Sequence, residues 1–191
     1  MELCLSQVLS NWDEVEVRTV PNVMYQVVCP TNNTGEDIEY RFHWFLDCSE
    51  TYIHNHRYAF DTYCLQGEYE ERLWEISDGH SGTLSYKFPR TSGNKFGTHI
   101  PVPGVLRSVK QNHHFPGNTL HVEPNQYHSI VPIGGANSNV LTFDARRLCS
   151  TATEPTFVLS ASDSIQAPTD EIRPATAQER QLVHEKLISL S

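Results

Sequence analysis

The sequence predicts an all-β fold, a barrel or sandwich of short strands with a short helix near each end. Segments rich in β-branched and aromatic residues recur about every 8–12 residues between positions 15 and 146, with turn-forming residues between them. Apolar residues at helical spacing occur only in the first and last parts of the chain. A series of short strands flanked by helices is typical of closed or double-sheet β architectures.

The first half of the chain predicts one helix followed by strands. Residues 3–12 carry apolar side chains spaced by three and four, which places them on one helical face: Leu5, Val8, Leu9 and Trp12. Alternation and composition then predict strands at Val15–Val20, Val23–Cys29, Ile38–Leu46, Thr51–Gly67, Tyr69–Ile76 and Thr83–Phe88. Four charged residues of this region are interpreted as a solvated strand edge rather than a carboxylate site: Glu68, Glu70, Glu71 and Arg72.

The second half predicts further strands separated by loops. Residues 89–104 are rich in Pro, Gly, Ser and Thr and predict a long loop of the kind that often serves as a lid or binding loop. Residues 111–117 predict a turn. Strands are predicted at Val105–Val109, Leu120–Glu123, Ser129–Ile133 and Val140–Arg146.

The end of the chain predicts an irregular strap over residues 151–174 and then a helix. Thr176 and Glu179 have the spacing of a capping box, in which each residue satisfies a backbone N–H at the start of a helix. One face of that helix carries Leu182, Val183, Lys186, Leu187 and Leu190. We therefore expect a single domain over residues 1–191, with a barrel core over about 15–148 and a strap and helix over 149–191.

Composition narrows the classes of function. With 191 residues, 38% hydrophobic residues and a mean hydropathy of −0.44, the chain can form a core in water. It has no apolar run of about 18 residues and no basic leader followed by an apolar stretch, so neither a transmembrane helix nor a signal peptide is predicted. Five scattered cysteines indicate reduced thiols in the cytoplasm, and a net charge of −9 argues against nucleic acid as the partner.

The histidines at positions 54 and 56 form the first candidate site. Residues i and i+2 of a strand point to the same face, so His54 and His56 could bind one metal ion together. Tyr52, Ile53 and Tyr58 support a strand here. The alternative is a pair of half-buried or exposed histidines with no ligand.

A second stretch, residues 117–132, reads as a strand, a Pro-Asn turn, a histidine and another strand. Together the two stretches resemble the motifs of the cupin superfamily. The first motif is matched by His54-Asn-His56 with Cys64-Leu65-Gln66-Gly67, and the second by Gly117, Pro124 and His128. The resemblance implies a double-stranded β-helix, or jelly-roll barrel, in which both motifs point inward from adjacent strands and share one metal. It therefore implies a metal site formed by His54, His56 and His128.

The sequence departs from the family pattern at one ligand. The family's glutamate falls at Phe60 or Asp61, and only Asp61 could ligate. Strand alternation argues against it, because Phe60 shares the face of His56 and Asp61 then points away unless a bulge intervenes. A site of three histidines without a glutamate is similar to that of the thiol dioxygenases, such as cysteine dioxygenase. This branch implies Fe(II), although three imidazoles also suit Zn, Cu or Ni, and Mn remains open.

Several further residues are candidates around such a site. Arg41, Arg57 and Arg107 could hold a substrate carboxylate, and Arg41 and Tyr58 could take part in catalysis, Tyr58 as an acid or hydrogen-bond donor. The alternatives are surface arginines and a core tyrosine. His121 could be a ligand or lie just behind the ligands. Cys64 is interpreted as a small buried residue, because its spacing from His56 does not match the cysteine–tyrosine crosslink of thiol dioxygenases.

Three functions follow from the resemblance. The first is a mononuclear non-haem iron oxygenase that acts with O₂ on a small polar substrate. The second is a metal-dependent isomerase, lyase or hydrolase, and the third is a non-catalytic cupin that binds a sugar or another small molecule. The resemblance also makes a homodimer the expected assembly. Fold alone does not choose among these functions.

Overall fold

The computed structural model describes residues 2–30, 37–46, 50–90, 96–134, 139–148, 155–165 and 172–190. It confirms an all-β fold with a helix at each end. Helix α1 spans Glu2–Ser10, a short 3₁₀ helix spans Trp12–Glu14, and α2 spans Ala177–Ile188. The strands are β1 Glu16–Val20, β2 Met24–Val28, β3 Ile38–Phe45, β4 Ile53–His54, β5 Phe60–Gln66, β6 Glu68–Ser77, β7 Leu84–Pro89, β8 Ile100–Pro103, β9 Val105–His114, β10 Thr119–Val122, β11 Tyr127–Ile133, β12 Leu141–Arg147, β13 Phe157–Ser160 and β14 Arg173–Pro174.

The strands form two antiparallel sheets of seven strands each. Sheet 1 has the order β10-β5-β12-β3-β2-β1-β14, and sheet 2 the order β8-β7-β13-β4-β11-β6-β9. Strands that follow one another in the chain often lie in different sheets, as β4 and β5 do. This double-sheet arrangement is consistent with the jelly-roll barrel predicted from the two motifs.

The two faces of sheet 1 are chemically different. Its outer face packs under both helices in a cluster of buried apolar residues that includes Leu5 and Val8 of α1, Val183 and Leu187 of α2, and Val17, Tyr25, Val27, Phe42 and Phe143 of the sheet. Its inner face meets sheet 2 through a smaller cluster that joins Phe45 and Cys64 to Tyr69. The rest of the inner face is largely polar, with buried His43, Thr62, Thr142 and Asp144. Most of the apolar core therefore lies between the helices and sheet 1.

Three predicted loops contain strands. β8 lies within residues 89–104, and residues 91–95 of that predicted loop fall outside the described part. β9 continues to His114 and so replaces most of the turn predicted at 111–117. β13 lies in the predicted strap and forms an inner strand of sheet 2 between β7 and β4, where Val158 and Leu159 are buried. β8 pairs with the preceding strand β7, whereas β9 pairs with β6 and β13 with β4 and β7, so strand pairing outweighs local composition in each case.

The start of α2 confirms the predicted capping box. Thr176 accepts a hydrogen bond from the Glu179 backbone N–H at 3.3 Å, and the Glu179 carboxylate accepts one from the Thr176 backbone N–H at 2.7 Å. Arg173 adds two hydrogen bonds of 2.7 Å to the same carboxylate. These hydrogen bonds, those of Arg173 most of all, lower the pKa of Glu179 to about 2. The Glu179 carboxylate therefore links the start of α2 to Arg173 of β14.

We expect the contribution of the Glu179 charge to depend on pH. Glu179→Gln keeps the capping geometry but loses the charge, at a cost of up to about 1 kcal/mol near neutral pH, as for other exposed ion pairs. Because folding lowers this pKa, the stabilisation is complete above the unfolded value of about 4.3 and disappears as the pH falls toward 2. Urea unfolding of the unchanged protein and of Glu179→Gln between pH 7 and pH 3 measures the difference in their free energies of unfolding. A difference that stays constant with pH would contradict the assignment.

Among the residues described, no helix is both long and apolar enough to cross a bilayer.

Candidate metal centre

The structure brings the three predicted histidines together between the sheets. His54 lies on β4 and His128 on β11, where the two residues are directly opposite in the antiparallel pair. His56 follows β4 in the segment that leads to sheet 1. The Nε2 atoms of His56 and His128 are 2.8 Å apart, and one nitrogen from each of the three rings lies within 4.8 Å of the other two. Of the residues described, only this group brings together three potential metal ligands.

The backbone path at this point differs from the sequence prediction. β4 has only two residues and β5 begins at Phe60, so the predicted continuous strand over 51–67 is wrong in its middle. His56 lies outside any strand, so the alternation of strand residues does not determine the direction of its side chain. Its ring instead packs on Phe60, with 4.7 Å between ring centroids. The histidines meet because the chain crosses here from sheet 2 to sheet 1.

Hydrogen bonds orient two of the imidazoles. His54 Nδ1 lies 2.7 Å from the carbonyl oxygen of Tyr52, and His128 Nδ1 lies 3.0 Å from Oε1 of Glu71. Both acceptors are oxygens, so Nδ1–H donates and the lone pair of each ring is on Nε2. Such an acceptor on the far nitrogen is the usual way in which a protein fixes a metal-binding histidine.

Two of the histidines, His54 and His56, are held in the neutral form that binds metals. Burial, followed by the charges of neighbouring histidines and arginines, lowers the pKa of both His54 and His56 well below the usual value. A neutral imidazole offers a lone pair, whereas an imidazolium has none. Three imidazole nitrogens fit a first-row transition metal such as iron, zinc, copper or nickel. Three protein ligands also leave coordination positions open, as in catalytic rather than structural sites.

Glu71 is a site residue that the sequence interpretation missed. Its side chain is fully buried, which corrects its assignment to a solvated strand edge. It accepts hydrogen bonds from His128 Nδ1 and from Asn112 Nδ2, both at 3.0 Å, whereas His114 Nε2 at 3.9 Å is too far to donate one. Burial raises the pKa of this carboxyl, but the nearby His114 and the hydrogen bonds from His128 and Asn112 outweigh burial and lower the pKa to about 2. Alternation from the inward Tyr69 was the signal that could have found it.

Arg146, near the end of β12, is the second missed residue. Its Nη2 lies 3.4 Å from Nδ1 of His56, and its guanidinium lies 5.5 Å from the ring centroid of Phe60. Its side chain is only 15% exposed. Burial, with Arg41 as the next contribution, lowers the pKa of Arg146. No local pattern indicates this residue, because the contact joins residues 90 positions apart.

Four other side chains were predicted to serve the site: Arg41, Arg57, Arg107 and Tyr58. Arg41 lies on the inner face of sheet 1, with Nη2 2.6 Å from Oε1 of Glu39. Arg57 and Arg107 are exposed, and Arg107 lies on the edge strand β9. Tyr58 is half-buried in the segment between β4 and β5. The roles predicted for these residues stay predictions.

Asp61 and His121 form a pair of their own. They face each other across β5 and β10, and the Asp61 carboxylate lies 2.6 Å from Nδ1 of His121. Their side chains are 30% and 48% exposed, whereas the neighbouring Phe60 is buried. Asp61 therefore lies on the opposite side of β5 from the three histidines, as strand alternation predicted.

Cys64 is buried, and burial raises the pKa of its thiol to about 11.

Comparison with known proteins finds likeness in structure only. No family model matches the chain. No curated protein matches it in sequence. It is similar to an RmlC-like cupin from Shewanella frigidimarina, with 15% identity and a TM-score of 0.42 over 72% of this chain and 88% of that one. KdgF from Halomonas sp. has 13% identity and a TM-score of 0.43, over 72% and 92% of the two chains. Hydroxypropylphosphonic acid epoxidase from S. wedmorenis has 11% identity and a TM-score of 0.45, over 70% and 56%. Cupins are thus among the structures that the chain resembles, as its motifs predicted, while the narrower likeness to thiol dioxygenases stays a prediction.

Proposed function

We propose that this chain is a metal-dependent cupin enzyme in which His54, His56 and His128 hold one ion, and that the ion is iron(II). The convergence of the three imidazoles, with Glu71 behind His128, is the observation that supports this best. A metal on three imidazoles supplies a Lewis acid with open positions, and iron(II) adds the ability to react with O₂. The proposed reaction is the oxidation of a small polar substrate by O₂.

Other residues of the chain would orient the metal-binding histidines. Glu71 and the Tyr52 carbonyl hold two imidazoles in the tautomer that presents Nε2. Phe60 limits the movement of the His56 ring. Arg146 provides a positive charge beside His56. Together these groups keep the metal-binding atoms in place before any metal arrives, which reduces the cost of binding.

Metal loading followed by O₂ consumption tests the proposal. The protein is loaded anaerobically with Fe(II) or Zn(II), the bound metal is measured by elemental analysis, and O₂ uptake is followed with small thiols and carboxylates. One iron per chain with substrate-dependent O₂ uptake would support the oxygenase. Stoichiometric metal without O₂ uptake, together with turnover by the zinc form, would favour an isomerase, lyase or hydrolase. A chain that binds neither metal would refute both and leave a non-catalytic binding protein.

We expect Glu71→Gln to weaken metal binding by about 10- to 100-fold, the usual effect of changing an outer partner of a ligating histidine. Glutamine keeps the volume, and its Oε1 can still accept from His128, but it lacks the negative charge that raises the basicity of the imidazole. The measurement is a competition titration with a chelator. Glu70→Gln is the matched control, because Glu70 neighbours Glu71 but pairs with Arg72 on the other side of β6. Equal affinities of the two variants would contradict the role of Glu71.

We also propose that the partner is a small molecule rather than a nucleic acid, and that the chain forms a homodimer in the cytoplasm. The net charge of −9 opposes binding to phosphate backbones. Sedimentation at micromolar concentration measures the assembly, and a monomer throughout that range would refute the homodimer.

A further inference from the structure

We propose that His114 is a positioning residue of the metal centre, which shares the Glu71 carboxylate with His128 and gives up a proton when a metal binds. This inference rests on the proposed function, because it concerns the regulation of the same metal site. It implies that a residue which does not ligate the metal makes metal binding depend on pH. The contacts of Glu71, the facing nitrogen of His114 and the charges around the two residues support it.

Glu71 connects the metal centre to the edge strand β9. On one side, its Oε1 lies 3.0 Å from Nδ1 of His128. On the other side, its Oε2 lies 3.0 Å from Nδ2 of Asn112 and 3.9 Å from Nε2 of His114, both on β9. This arrangement follows from the sheet order, in which β6 lies between β11 and β9 and pairs Glu71 with Asn112. A change of charge at His114 therefore reaches His128 through a single side chain.

His114 is held next to Glu71 but makes no hydrogen bond with the nitrogen that faces it. Its side chain is 9% exposed, and its Nε2 is buried without a hydrogen-bond partner among the residues that the structure describes. The ring stacks on Tyr69, with 4.8 Å between centroids and 21° between planes. The 3.9 Å gap is about 1 Å longer than an N–H···O hydrogen bond. Protonation would close this gap, because a hydrogen bond from an imidazolium to a carboxylate is shorter and stronger than a neutral one.

Glu71 is the anion that faces His114 from β6. The other β6 residue against the His114 ring is Tyr69, and burial raises its pKa above the usual value, so the phenol stays neutral. On β9 itself the nearby asparagine is uncharged, and His113 pairs at 2.9 Å with Glu68 on the exposed side of the two strands. The carboxylate of Glu71 is thus the main electrostatic influence on the proton of His114.

A metal ion and a proton on His114 would compete for the charge of Glu71. Glu71 is fully buried and, with a pKa of about 2, ionised at neutral pH. A buried carboxylate needs positive charge or strong hydrogen bonds beside it. Without a metal, a protonated His114 supplies positive charge, since burial lowers the pKa of His54 and His56 and keeps both neutral. With a divalent metal on the imidazoles, a second positive charge becomes unfavourable in these buried surroundings.

The coupling works in both directions. A proton on His114 weakens metal binding by the same factor by which the metal weakens proton binding. Metal affinity should therefore be highest where His114 is neutral and should fall as the pH drops into the range in which histidines take up a proton. Each metal ion that binds to the protonated form releases one proton from His114 to the solvent.

Nitrogen–proton NMR of the histidine rings tests the inference. The unchanged protein is titrated from about pH 8 to about pH 5, where histidines ordinarily change charge, without zinc and with saturating zinc. The signals of His114 are assigned by their loss in His114→Gln or, if that variant does not fold, by their proximity to Tyr69. We expect the ratio of charged to neutral His114 rings to fall about tenfold when zinc binds, a usual coupling between two sites. In Glu71→Gln at saturating zinc, the ratio should not change.

His113 is the matched control in the same spectra, because it neighbours His114 but pairs with Glu68 on the exposed side. Zinc should leave the charge ratio of His113 unaltered. The same ratio for His114 with and without bound zinc would overturn the inference and leave the metal site standing. A zinc effect that persists in Glu71→Gln would overturn the role of Glu71. A protein that holds no zinc at all would instead refute the proposed function, and this inference with it.

Discussion

His128→Ala is expected to abolish stoichiometric metal binding and with it any metal-dependent activity. His128 is the most buried of the three imidazoles, lies opposite His54, and is oriented by Glu71. Removing it leaves two of the three proposed ligands and deprives Glu71 of a hydrogen bond. The loss of affinity should exceed the roughly 10- to 100-fold effect typical of a residue behind a ligand. Elemental analysis after iron or zinc loading measures it.

Two further variants separate loss of the ligand from loss of folding. His128→Gln can still donate a hydrogen bond to Glu71 and fills most of the space, so it should fold and yet bind metal poorly. His121→Ala removes an exposed histidine that pairs with Asp61, and it should bind metal as the unchanged chain does. Full metal occupancy in His128→Gln would rule out the three-histidine site. Loss of metal in His121→Ala would show that the Asp61 and His121 pair takes part.

Phe42→Ala is expected to lower the free energy of unfolding by about 3–5 kcal/mol, as large-to-small changes of buried phenylalanines do. Phe42 is 1% exposed and belongs to the cluster in which both helices pack on sheet 1. Its ring contacts Phe143 with 5.0 Å between centroids, so the substitution leaves a cavity at the centre of that cluster. Urea unfolding followed by circular dichroism gives the value.

Phe115→Ala is the matched control for this change. Phe115 is 51% exposed after the end of β9, and its removal should alter the free energy of unfolding by no more than about 0.5 kcal/mol. If Phe42→Ala cost less than about 1 kcal/mol, the packing of the helices on sheet 1 would contribute much less than the structure implies. Metal affinity of the folded Phe42→Ala protein should be unchanged.

The sequence was most informative where local patterns and long-range pairing agree. The alternating segments of β1, β2, β3 and β12 were predicted close to their true limits, and the Thr176 to Glu179 spacing located the start of α2. It was least informative where a strand depends on a distant partner. β13 follows a stretch of Ser, Thr and Pro, yet it pairs with β4 and β7, and nothing in its own composition indicates those partners.

The candidate metal centre shows the same contrast between local patterns and long-range contacts. The two motifs predicted which three histidines meet, because the family resemblance carries long-range information that spacing alone lacks. Glu71 was missed because it stands in a run of charged residues whose other members are more exposed, so its environment could not be recognised from its neighbours. Arg146 was missed because its partners, His56 and Phe60, lie in another part of the chain. Arg57 and Arg107 were chosen by sequence position, and both are exposed.

The two faces of sheet 1 differ in a way that affects which substitutions the protein can tolerate. The apolar residues that resist unfolding lie mainly under the helices, while buried polar side chains lie on the other side of the same strands. Substitutions at distant positions with no shared partners have nearly independent effects on stability. Protein engineers could therefore exchange polar residues such as Arg146 or Arg41 while the helix-covered face maintains the fold. The same separation would let substitutions accumulate on the polar face at a low risk of unfolding.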